Sequence, residues 1–74
     1  MTSQELGKVL HDMYTNADEG ESVAMIHLFG IKYAEEINRL DIAKRTIAIA
    51  AGINPSYGTE ISKGMKLSKY VLLK

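Results

Sequence analysis

Seven of the nine Lys and Arg residues fall between positions 38 and 74, at Arg39, Lys44, Arg45, Lys63, Lys66, Lys69 and Lys74, against only Asp41 and Glu60. That half carries a net +5, the charge of a surface that attracts polyanions. Residues 1–37 reverse the balance: Lys8 and Lys32 stand against Glu5, Asp12, Asp18, Glu19, Glu21, Glu35 and Glu36, a net −5. The formal net charge of zero therefore hides a charge dipole, and only the basic half has the chemistry to meet a polyanion.

Other chemistry is poorly represented. His11 and His27 are sixteen residues apart without an adjacent acidic or Cys ligand pattern, so each is expected to be a satisfied polar position and no metal site is expected. No Ser stands in a nucleophile motif, Cys is absent, and no Gly-rich phosphate loop is present. These absences argue against an enzyme, a bound cofactor or a small-molecule ligand. The apolar run Val23 to Ile37 is interrupted by His27, Lys32, Glu35 and Glu36 and falls short of the ~20 residues of a membrane span. The first residues show no basic region leading into an apolar core, so a signal peptide is not expected and the cytoplasm is the expected location.

A 74-residue chain forms one domain and buries only about 60% of its unfolded surface, which leaves a marginal core. The elements that must position the basic residues read as helices. Thr2 with Glu5 forms a capping box ahead of Leu6, Val9, Leu10, Met13 and Tyr14 at helical spacing, which predicts a helix over 3–16. Asp18 with Glu21 repeats the box and predicts a second helix over 19–38. Its apolar residues cover more than one stripe, so it is either central or partly a subunit interface. A third helix is expected over 41–51, with Asp41 as N-cap and Gly52 just past its end. Asn54 then caps a short fourth helix, with Pro55 at its first position, that should stop near Gly64. The tail over 65–74 is β-prone at Tyr70 to Leu73 and predicts a short extended segment.

The fold class is thus all-α, a small bundle of about four helices in which residues 1–40 support the pair at 41–64. Two helices joined this way need a small residue near their crossing, a turn residue that tolerates a left-handed conformation, and apolar residues to fix their angle. Ala48, Gly52, and the set Ile47, Ala51, Ile53 and Ile61 meet these needs. The stretch from Lys44 to Lys63 resembles the helix-turn-helix family of DNA-binding domains. It departs from the family at Gly58, where a branched apolar residue is usual. Either the helix begins later, or its backbone lies close to another helix or to DNA. The run SYGTEISKG is also similar to small helix-turn-helix-like domains of bacterial restriction-associated proteins.

The resemblance implies binding of double-stranded DNA, as a small transcription regulator or as the targeting module of a larger system such as restriction. Carried onto this sequence, the residues directed at the major groove are Asn54, Ser56, Tyr57, Thr59, Glu60 and Lys63. Lys44, Arg45, Lys63, Lys66 and Lys69 would hold phosphates. Two positions stay open: Tyr57 either faces a base or packs on the bundle, and Lys66 and Lys69 either meet phosphates or are solvated charges on an edge strand. Because this footprint is small and the core marginal, a homodimer is expected. The competing reading is a protein-interaction module that docks a partner on the apolar helix 19–38, with the dipole orienting the encounter.

Overall fold

A computed structural model describes residues 1–73; Lys74, the last residue of the expected tail, lies outside the described residues. Five helices follow one another: α1 Ser3–Thr15, α2 Ser22–Lys32, α3 Ala34–Leu40, α4 Lys44–Ala50 and α5 Gly58–Leu67, with a 3₁₀ turn Pro55–Tyr57 leading into α5. No strand occurs among the described residues, so the class is all-α as expected.

The start of α1 is fixed by the expected reciprocal cap. The Thr2 hydroxyl accepts the Glu5 amide at 3.1 Å, and the Glu5 carboxylate accepts the Thr2 amide at 2.8 Å. Leu6 and Leu10 point inward from α1, into a core with Ile26 and Phe29 of α2, Ile37 of α3, Ile47 of α4, Ala51 at the end of α4 and Ile61 of α5. Phe29 is fully buried and Tyr33 is half-buried beside it, their ring centroids 5.3 Å apart.

The region expected as one helix over 19–38 is different. Residues 18–21 form a turn, closed by the Glu21 amide on the Asp18 carbonyl, and α2 begins at Ser22 without any side-chain cap. The helix then breaks at Tyr33, beyond which Ile37 turns into the core. Its apolar residues divide: Ile26, Phe29 and Gly30 are buried, Met25, Leu28 and Ile31 are half-buried outside the core cluster, and Val23 is exposed. One stripe of the helix faces the core and another stays at the surface.

The close fit of α2 on α5 explains a second departure. Helix α5 passes through Gly64, where it was expected to stop, and ends at Leu67. Gly64 is a contact point instead of a terminator: a Cβ there would run into the His27 carbonyl. A Cβ on Gly30 would lie 2.5 Å from the Ile61 carbonyl oxygen and 2.9 Å from the Met65 amide nitrogen. The two backbones touch because neither glycine has a side chain.

Among the described residues the tail forms no strand. Tyr70 closes a turn onto the Leu67 carbonyl, and Leu67, Tyr70, Val71, Leu72 and Leu73 are exposed. Lys66 and Lys69 accordingly belong to the last turn of α5 and the turn after it, not to an edge strand.

Candidate nucleic-acid interface

Local chemistry builds the pair α4–α5. Ala51 ends α4, Gly52 follows with φ +75°, and the Ile53 amide reaches back to the Ala48 carbonyl at 3.1 Å while the Gly52 amide bonds the Ile49 carbonyl at 3.0 Å. This double bond pattern needs a left-handed residue at Gly52, which glycine adopts without steric cost. Asn54 caps as expected, its Oδ1 accepting the Ser56 amide at 3.0 Å with Pro55 next in line, but what it caps is the 3₁₀ turn, and α5 itself starts later than expected, at Gly58. Asp41 plays another part than expected. It is the left-handed C-cap of α3, with φ 51°, and α4 starts three residues later, at Lys44. Aspartate is one of the few residues that adopts this conformation readily.

Gly58 resolves the departure from the family pattern. A Cβ there would sit 2.8 Å from the Arg45 amide nitrogen and 3.2 Å from the Lys44 carbonyl carbon. The start of α5 is thus pressed against the start of α4, backbone to backbone. Ala48, fully buried, adds the small residue on the inner side of α4.

This contact places the first turn of α4 beside the outer face of α5. An open cleft results, lined by Lys44, Arg45, Asn54, Ser56, Thr59 and Ser62. A smaller groove continues from it, sharing Lys44 and Ser62 and adding Asn38, Lys66 and Lys69. One surface therefore gathers Lys44, Arg45, Asn54, Ser56, Thr59, Lys66 and Lys69 from the sequence-derived set. From the 3₁₀ turn through α5 to the turn after it the residues follow a single stripe, with hydroxyls at Ser56, Thr59 and Ser62 and ammonium groups at Lys66 and Lys69. Ser62 was missed by sequence reasoning, although its spacing from Thr59 and Lys66 matches that stripe.

The remaining three residues of the set lie elsewhere. Tyr57 packs on the bundle, its ring 5.8 Å from that of Tyr14, and it holds the Tyr14 phenol above its ordinary pKa by a hydrogen bond. Glu60 turns toward α2. Its Oε1 is 2.8 Å from His27 Nε2, and its Oε2 accepts from Lys63 Nζ at 3.1 Å. The His27 hydrogen bond, followed by that of Lys63, holds the Glu60 carboxyl below the usual 4.5. His27 and Glu60 are 33 positions apart, so nothing local in the sequence announces the pair. His11 is satisfied too, its Nδ1 2.9 Å from the Ala51 carbonyl at the end of α4.

A carboxyl whose pKa is lowered by folding stabilises the fold fully above its unfolded pKa, and that contribution disappears as pH falls through the lowered value. Glu60→Gln is therefore expected to melt below the parent near neutrality, with the gap closing at pH values well under 4.5. Parallel thermal melts at the two pH values check it; a gap that is the same at both contradicts the pairing.

Two helices meeting across a left-handed glycine turn, with a polar and basic outer face on the second, define a helix-turn-helix. The family of HTH-like domains matches residues 2–74, and the chain belongs to that family. Comparison with curated proteins and with solved structures gave no match. No helix among the described residues is long and apolar enough to cross a membrane.

Proposed function

We propose that this domain binds duplex DNA, laying the outer face of α5 and the first turn of α4 against it. The observation that carries this reading is the convergence of Lys44, Arg45, Lys66 and Lys69 on one continuous surface around the hydroxyl stripe of α5. Cations spaced along both ends of such a stripe suit the phosphates that flank a groove, while the stripe faces the base edges. The acidic first half carries its charge on α1, the 18–21 turn and α3, and repulsion between it and a polyanion favours this orientation over others.

The competing reading, a partner docked on the apolar residues of 19–38, loses support because Ile26, Phe29 and Ile37 are spent in the core. A role as a small regulator or as the targeting module of a larger assembly is compatible with DNA binding through this face.

Counterion release supplies the test. If the four cations each neutralise one phosphate, log affinity should fall with log salt at a slope of about −3.6, so a fourfold rise in salt weakens binding roughly a hundredfold. A titration with mixed-sequence duplex at two salt concentrations measures this. Affinity that is flat with salt, or absent at low salt, contradicts the proposal.

A further inference from the structure

We infer that this face holds DNA with little sequence discrimination, because the fold itself occupies the side chains that would read bases. The inference rests on the DNA-binding reading above and concerns which duplexes are taken. Direct readout needs side chains that present a fixed donor and acceptor pattern to base edges. Five of the six residues in the groove-facing positions lack that freedom.

Asn54 would pair with adenine by donating and accepting together, but its acceptor oxygen is committed to the Ser56 amide as the cap of the 3₁₀ turn. The Thr59 hydroxyl donates to the Ser56 carbonyl at 3.0 Å, which leaves it only as an acceptor. Glu60, the natural acceptor for cytosine, is engaged by His27 and by Lys63. Lys63 is drawn to the same carboxylate. Tyr57 packs against Tyr14, the two rings tilted by 51°.

Releasing these groups to a base would uncap the 3₁₀ turn that leads into α5 or strip Glu60 of its contacts with His27 and Lys63. What remains toward the groove is Ser56 and Ser62. A hydroxyl donates or accepts as its rotor turns, so any base edge satisfies it and none is selected. Lys44 and Arg45 come from the first turn of α4 and Lys66 and Lys69 continue the stripe beyond Ser62; as phosphate contacts they carry no direct sequence information.

The test is competition of the intact chain between a labelled mixed-sequence duplex and a panel of unrelated duplexes, beside repeated selection from a randomised duplex pool. Affinities across the panel should agree within about tenfold, against the roughly 10³- to 10⁷-fold separation of sequence-specific proteins, and selection should enrich no consensus. Lys44→Ala should weaken every duplex alike, while Lys63→Ala, whose ammonium serves Glu60, should leave affinity within about twofold of the parent. A selected consensus bound more than about a hundredfold above the panel overturns the inference while leaving DNA binding intact. A Glu60→Gln or Thr59→Val protein with an altered sequence preference does the same. Failure to bind any duplex at low salt removes the DNA-binding reading, and the inference with it.

Discussion

Gly30→Ala and Gly64→Ala are each expected to lower the melting temperature by about 5–20 °C. On an open helix the change would stabilise, since Ala exceeds Gly in helix propensity by about 1 kcal/mol. Here the sign reverses. The added methyl of Gly30→Ala meets the Ile61 carbonyl oxygen and the Met65 amide nitrogen, and that of Gly64→Ala meets the His27 carbonyl. All of these are backbone atoms and cannot turn aside. Relief requires α2 and α5 to separate, which loosens Ile26, Phe29 and Ile61 together. Overpacking of this sort costs about 1–3 kcal/mol, and each kcal/mol moves the midpoint of a domain this size by about 4–8 °C. A core of so few residues has little reserve. Thermal melts of the two variants check the result; a midpoint at or above the parent's contradicts the close approach of the helices.

The second large effect concerns DNA. The double substitution Lys44→Glu with Lys66→Glu is expected to weaken duplex binding at low salt by more than about tenfold and to halve the salt slope to about −1.8, since two of four phosphate contacts are lost. Both side chains line the same groove and neither has a protein ion pair among the described residues, so the fold should tolerate the change. The contrast is Lys8→Glu on α1, remote in sequence from the basic half, which should leave affinity nearly unchanged. Fluorescence anisotropy with a thermal melt of each variant separates lost contact from lost fold. A loss from Lys8→Glu about half that of the double variant in free energy, in proportion to the charge changed, would show that only net charge matters and that no particular face binds.

Much of the local architecture could be read from single residues. Thr2 with Glu5, Gly52, and Asn54 with Pro55 each act through hydrogen bonds to neighbours within a few positions, so their sequence spacing nearly determines their geometry. Features set by distant partners were not legible. Gly58 and Gly64 stand out in a helical segment as weak points, and only the opposing backbones of Arg45 and His27 reveal them as contact points. Asp41 fits an N-cap as well as a left-handed C-cap, and the choice between them is decided by where α3 ends. The break at Tyr33 has no Pro or Gly to announce it, and the β-prone composition of Tyr70 to Leu73 is overridden because no second strand is there to pair with it.

The candidate site divides the same way. Charge placed Lys44, Arg45, Lys66 and Lys69 in the basic half, and helical spacing carries Ser56, Thr59 and Ser62 onto one stripe. Glu60 and Lys63 fall one step around the helix from that stripe. The rotation that turns them toward α2 is set by the contact of Gly64 with His27, which lies far away in sequence.

The most direct test of the central claim is residue-by-residue mapping of amide chemical shifts while the labelled protein is titrated with a mixed-sequence duplex at low salt. Changes should concentrate at Lys44 to Thr46, at Asn54, Ser56, Thr59 and Ser62, and at Lys66 and Lys69, with α1 and the 18–21 turn undisturbed. Changes centred on the acidic half, or none at all at saturating duplex, would contradict binding through the α4–α5 face.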